Sequence, residues 1–289
     1  MMLSRRRFLS ISAAALSMGA SAAPARWSGL ALGAEAQITL HGPGATEALP
    51  RAIARLREIE AAFSLYDPDS EVSRLNRAGR LVPSQDFAAL MALADRVHRA
   101  TQGQFDPTVQ PLWQALARGQ DTGDARQLIG WEKVQRAPQV VLGKGQALTF
   151  NGIAQGYATD AVADLLETRG FGRALVNIGE FRALGGPWRL GLADPGQGLL
   201  GSRTLTGGAV ASSSPSALML GAQAHILSPQ GGAALWSTVS VECPSAALAD
   251  ALSTGFCLMD EAAIRAAIRH IPARVTLVDA GGNLRRLPA

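Results

Sequence analysis

Four short stretches of this chain carry residue types that can do chemistry. In LTFNGIAQGYATD (148–160) an apolar run meets a turn kept nearly bare by Gly152, Ala154 and Gly156, with the polar groups of Asn151, Gln155 and Asp160 around it. Bare turns at helix starts bind phosphates through free N–H groups and the helix dipole. This one has no basic residue in its first turn and is neither a P-loop nor a dinucleotide fingerprint. Taken alone, its glycines are explained more simply by tight helix–sheet packing.

In ALADALSTGF (247–256), Asp250 and Thr254 stand four residues apart and so share one helix face. A carboxylate with a hydroxyl one turn on suits a hard cation. A solvated Asp beside a helix-bonded Thr is the commoner arrangement, but Ala249, Ala251, Leu252 and Phe256 leave little reason for a solvated face. A buried carboxylate needs a partner. GQFDPTVQPLW (103–113) sets Asp106 in a proline-stiffened loop, either to accept hydrogen bonds from a ligand or to close a turn before Pro107. HILSP (225–229) holds a lone histidine, His225, which is a structural residue or a general base.

The elements that must position these groups follow from periodicity. QITLHG (37–42) alternates like a strand, and residues 45–66 carry a helical period through Ile53, Leu56, Ile59 and Phe63, with Pro50 in the first turns. Residues 67–80 read as a turn-rich link. Residues 84–103 read as a helix with a serine cap and a glycine stop. The two prolines of 103–113 predict an extended first half. Strands are expected at 139–142, 147–150, 174–178, 188–192, 208–212, 237–242 and 274–278, and helices at 157–169, 246–258 and 260–269. Helices and strands mix without strict βαβ alternation, which indicates an α+β fold in one catalytic domain over 28–289.

Bulk composition narrows the function classes. The 289 residues are 47% hydrophobic and 17% charged, as in an ordinary globular chain. The net charge of +4 falls to about +1 without Arg5, Arg6 and Arg7, and the remaining arginines form no stripe, so nucleic-acid binding is excluded. Those three arginines open an N-terminus of export-signal type. Ser4-Arg5-Arg6-Arg7-Phe8-Leu9 has the twin-arginine form, and the apolar run Phe8 to Ala20 is shorter than the ~20 residues that span a bilayer. Removal after Ala23 or Ala25 is expected, which assigns 1–25 to the signal and the mature chain to the periplasm. Cys243 and Cys257 either bridge or stay as two buried thiols.

Taken in order, the motifs resemble the ApbE family, the FAD:protein FMN transferases. ALGAEAQI is similar to the family's opening segment, with Leu32 at its Met. FSLYDPDSEVSRLN, GQFDPTVQPLW, NGIAQGYATD, ALVNIGE, GGAVASSS, HILSP and ADALST each fall on a family block, and GQFDPTVQPLW matches almost in full. The resemblance implies a tunnelling-fold-type α+β domain that cleaves FAD, releases AMP and attaches FMN to a Ser or Thr of a target flavoprotein with Mg²⁺. The implied metal ligands are the Ala154 carbonyl, Asp250, Thr254 and the Ser253 carbonyl. The implied flavin contacts are Leu32, Tyr66, Gln104, Phe105, Asp106, Asn151, Tyr157 and Ile226. His225 is the candidate base and Asp250 the catalytic carboxylate.

The chain departs from the family pattern at Thr149 (usually Asp), Gln155 (usually Lys), Ser228 (usually Asp) and Glu180 (usually Gly). With these changes and its export signal it is similar to the nitrous-oxide-reduction accessory branch (NosX-like), which implies a membrane-bound flavoprotein target. A non-catalytic flavin carrier and an FAD pyrophosphatase are the alternatives.

Overall fold

The computed structural model describes residues 23–288. The export signal expected over 1–25 lies outside the described residues except for its last three positions. Ala25, one of the two expected cleavage points, is already the first residue of a strand and pairs with Leu40.

The strands are β1 (Ala25–Ala31), β2 (Ala34–Leu40), β3 (Arg80–Leu81), β4 (Val140–Val141), β5 (Ala174–Asn177), β6 (Phe181–Leu184), β7 (Trp188–Asp194), β8 (Gly198–Leu205), β9 (Gly208–Ser213), β10 (Met219–Leu220), β11 (Gln223–Ala224), β12 (Thr238–Cys243), β13 (Arg274–Val278) and β14 (Leu284–Leu287). The α-helices are α1 (Ala45–Phe63), α2 (Glu71–Ala78), α3 (Gln85–Ala100), α4 (Gln110–Ala117), α5 (Gly123–Gln127), α6 (Ala154–Thr168), α7 (Ala246–Phe256) and α8 (Glu261–Ala267). Eight strands form one antiparallel sheet in the order β1-β2-β5-β6-β9-β12-β13-β14. Helices α1, α6 and α7 cover one face. The β7–β8 hairpin covers part of the other, where Trp188, Leu190 and Leu205 pack on Leu175, Phe181 and Val210. This is the α+β architecture expected. Among the described residues no helix is long and apolar enough to cross a membrane.

Local differences from expectation have physical causes. Among the described residues, 147–150 form no strand and pair with none. The Asn76 side chain takes the neighbour's place: its Nδ2 donates to the Leu148 carbonyl at 2.9 Å and its Oδ1 accepts the Leu148 N–H at 2.7 Å. The link at 67–80 contains α2, started by the Ser70 hydroxyl, which accepts the Ser73 N–H, and stopped at Gly79 with φ 72°. Pro107 and Pro111 start helical turns, a 3₁₀ turn at Pro107–Val109 and then α4, because proline suits the first helical turn. Helix α1 begins at Ala45, upstream of Pro50, which it accommodates. Strands β1, β3, β6, β8, β10, β11 and β14 were not anticipated. Cys243 and Cys257 are buried free thiols, and burial pushes the Cys243 thiol up to about 11.

An aromatic cluster locks the start of α6 to the outer helices. Phe63 stacks on Phe87 with centroids 5.4 Å apart, and Phe150 meets both edge-on at 5.6 and 5.5 Å. Each such pair contributes about 0.5–1.5 kcal/mol beyond burial. At its margin Asp86 receives a bidentate pair from Arg55, at 2.8 and 2.6 Å, and the Tyr157 hydroxyl at 2.8 Å. The Arg55 hydrogen bonds hold the Asp86 carboxyl below its ordinary value.

A folded-state carboxylate with a lowered pKa contributes stability above the unfolded value of about 3.9, and loses it as pH falls through the lowered value. Asp86→Asn should therefore be less stable than the wild type at pH 7 in urea titrations, with the difference shrinking as pH falls below the unfolded value of about 3.9 and through the lowered one.

Candidate functional site

Helices α6 and α7 run antiparallel with almost nothing between them. A Cβ on Gly156 would lie 2.3 Å from the Ala246 carbonyl oxygen, and one on Gly152 would lie 2.9 Å from Thr254 Oγ1. The bare turn thus makes room for α7. Each helix also serves the other's N-terminus. Asp250 on α7 accepts the Gly156 N–H at 3.1 Å. Asp160 on α6 accepts the Ala246 and Ala247 N–H groups at 2.8 and 3.0 Å and the Ser245 hydroxyl at 2.7 Å, and pairs with Arg182 at 2.6 Å. Carboxylates at helix N-termini satisfy orphan donors and offset the dipole.

Asp250 is 1% exposed, as its apolar neighbours required. One turn on, Thr254 reaches a cleft whose wall also includes Gln104, Phe105, Asp106, Asn151, His225 and Ile226. Seven of the expected site residues therefore share one wall. Ala154, Asp250 and Ser253 lie behind its floor: the Ser253 hydroxyl meets Ser213 Oγ at 2.8 Å, and its carbonyl accepts the Cys257 N–H at 3.3 Å. Leu32, Tyr66 and Tyr157 lie outside the wall. Tyr157 is turned into the core by its bond to Asp86, which with burial raises its pKa. Tyr66 is 66% exposed over Gly33, while Leu32 is buried with φ 49° and is held by its N–H to Glu60 and its carbonyl to Gln155.

Asp106 does what the turn reading required. Its Oδ1 accepts the Thr108 N–H and hydroxyl at 2.8 and 2.6 Å, while Oδ2 lies 3.9 Å from His98 Nδ1. His98 Nδ1 also lies 2.9 Å from the Phe105 carbonyl. His225 Nδ1 is 2.8 Å from the Pro215 carbonyl and 3.2 Å from the Leu218 carbonyl, two acceptors that favour the tautomer with the hydrogen on Nδ1. Ser228, where the family pattern has a carboxylate, donates to Gln104 Oε1 at 3.2 Å.

Other lining residues escaped the sequence reading: Trp113, Ala193, Pro195, Ser213 and Leu227. Ala193 and Pro195 arrive on the β7–β8 hairpin, which the buried Asp194 ties to β12 through the Ser237 and Thr238 hydroxyls. Burial alone would raise the Asp194 pKa, and these hydrogen bonds lower it. The signal was a lone Asp in ADPG, readable only as a turn.

The donor set suits a hard cation, because every candidate ligand is an oxygen and one is a buried carboxylate. Among the described residues no three His, Cys, Asp or Glu side chains converge in the manner of a metal site, so Asp250 would act with hydroxyl and carbonyl oxygens.

The packing yields a direct test. Gly156→Ala should destabilise the protein by about 1–3 kcal/mol in urea unfolding, because its methyl meets α7 backbone and not a movable side chain. Asp160→Ala should cost about 2–3 kcal/mol by the same measurement, since it leaves two helix N–H groups without their acceptor and Arg182 with Asp164 alone.

Known proteins share this architecture. The ApbE family model matches residues 32–285. A FAD:protein FMN transferase of Haemophilus influenzae is 27% identical over 247 residues, covering 71% of this chain and 70% of that protein. The solved ApbE protein of Thermotoga maritima superposes with a TM-score of 0.81 at 24% identity, over 91% of this chain and 96% of that one. The flavinyl transferase ApbE of Pseudomonas stutzeri does so with a TM-score of 0.77 at 25% identity, over 91% and 94%. The chain belongs to the ApbE family.

Proposed function

We propose that this protein is an FAD:protein FMN transferase. It moves FMN from FAD to a Ser or Thr hydroxyl of an acceptor flavoprotein and releases AMP. The observation that carries this reading is the meeting of His225, Thr254 and the 151–156 turn around one cleft, with the buried Asp250 directly behind. Asp250, Thr254 and the Ala154 carbonyl would hold Mg²⁺, with the Ser253 carbonyl as a further donor. When bound, that ion offsets charge developing on the diphosphate.

The chain's own groups set up the transfer. Phe105 offers a flat apolar face to a ring system, and Gln104, Asp106, Asn151 and Ile226 line the same wall. The Pro215 carbonyl fixes the His225 tautomer, so Nε2 takes the proton of the incoming hydroxyl. The acceptor oxygen then bonds to the FMN phosphorus, the bond to the bridging oxygen breaks, and AMP leaves with that oxygen.

The twin-arginine sequence supports export to the periplasm. Gln155 and the Gly179-Glu180 pair support placement in the nitrous-oxide-reduction accessory branch, with a membrane-bound electron-transfer flavoprotein as acceptor.

Incubation with FAD, Mg²⁺ and that acceptor should add one FMN unit to the acceptor's intact mass and release AMP. His225→Ala should lower kcat by roughly 10²–10⁴-fold, and Asp250→Ala should abolish transfer. FMN and AMP without acceptor gain would indicate a pyrophosphatase. Tight FAD binding with no AMP in the acceptor's presence would indicate a carrier.

A further inference from the structure

Ser214 is half-buried in the wall of the cleft, next in sequence to the Pro215 whose carbonyl meets His225. Its hydroxyl carries one hydrogen, and groups in the core decide where that hydrogen points. Ser214 Oγ lies 2.7 Å from Thr238 Oγ1, and Thr238 Oγ1 lies 2.6 Å from Asp194 Oδ2. Asp194 is buried and collects four donors. The Gly196 and Gln197 N–H groups reach Oδ1 at 2.8 and 3.0 Å, and the Ser237 and Thr238 hydroxyls reach Oδ2. Burial raises the Asp194 pKa, but these bonds together bring it below its ordinary value. At neutral pH the group is a carboxylate, which only accepts.

Thr238 has a single hydroxyl hydrogen and spends it on Asp194. Two hydroxyl oxygens at 2.7 Å need a hydrogen between them, so Ser214 is the donor to Thr238. Nothing is then left for Ser214 to donate into the cleft, and it offers lone pairs alone. A buried acid thus fixes, through two hydroxyls, the polarity of one point in the wall. Phosphate oxygens and carbonyls also only accept, and they find no partner there. A hydroxyl or amino group does.

Resting on the transferase reading, we propose that Ser214 is a specificity-determining residue, which through the Asp194–Thr238–Ser214 chain accepts a hydrogen bond from a hydroxyl or amino group of FAD and so helps to set how the dinucleotide lies in the cleft. FAD carries such donors on its ribityl chain, its ribose and its ring edges. Its ionised diphosphate has none, and must lie elsewhere along the wall.

Asp194→Asn tests the chain because the amide reverses it. Its oxygen stays on the Gly196 and Gln197 N–H groups, which turns its NH₂ toward Ser237 and Thr238. Thr238 then donates to Ser214, and Ser214 points its hydrogen into the cleft, where donor meets donor. FAD affinity of the purified full chain is measured by calorimetry in excess Mg²⁺. Ser214→Ala should weaken it by about two- to tenfold, the ordinary worth of one hydrogen bond. Asp194→Asn should weaken it further, by about tenfold or more, since both groups are left unmatched. In a chain that already carries Ser214→Ala, Asp194→Asn should add nothing. Equal loss from Asp194→Asn with and without the Ser214 hydroxyl marks a purely structural role and overturns the proposal. So does a Ser214→Ala chain that binds FAD as the wild type does, a result that decides the matter even where Asp194→Asn fails to fold. Absence of FAD binding to the wild type overturns the transferase reading and this proposal with it.

Discussion

The molecule depends on two helices that touch backbone to backbone and exchange carboxylates. Asp250 leaves α7 to hold the start of α6, and Asp160 leaves α6 to hold the start of α7. Neither acid could reach its donors if Gly156 carried a side chain, because the Ala246 carbonyl fills that space. Close approach and reciprocal capping therefore reinforce each other. Together they fix where Thr254 meets the floor of the cleft, and with it the oxygen set offered to a cation. The two segments are remote in sequence, so this contact also joins the two halves of the chain.

The rest of the cleft is brought to this floor by separate anchors. Asp194 ties the hairpin bearing Ala193 and Pro195 to β12. The Pro215 carbonyl orients His225, and the Asp106 turn presents Phe105. Each anchor is a buried or part-buried hydrogen bond to a group that would be costly to leave unpaired. The wall is thus assembled from loops, but each loop is pinned by a polar group in the core.

Long amphipathic segments were legible from sequence: α1, α3, α6 and α7 lie within a few residues of expectation, because burial of one face imposes a helical period. Motif order led to the cleft residues for the same reason that it identified the family. Less was legible where tertiary contacts decide. Asp160 was visible only as a polar group beside the bare turn; that it caps a helix from another part of the chain was not. Tyr157, an expected flavin contact, bonds Asp86 through its hydroxyl and lies outside the cleft wall, a placement no sequence pattern indicated. β8 gave no sign because its exposed face and glycines blur the alternation, and among the described residues it pairs with β7 alone. The neutral Gln155 was visible as a departure, but that one of its oxygens is left unmatched is a property of three-dimensional space alone.

The Asn76 amide, standing in for a strand beside Leu148, has a consequence for how this family can vary. Main-chain ladders survive almost any substitution, since every residue type brings the same peptide groups. A ladder rung supplied by a side chain has no such insurance. The approach of residues 148–150 to the floor of the cleft therefore rests in part on a single amino-acid identity, at a position outside the cleft wall.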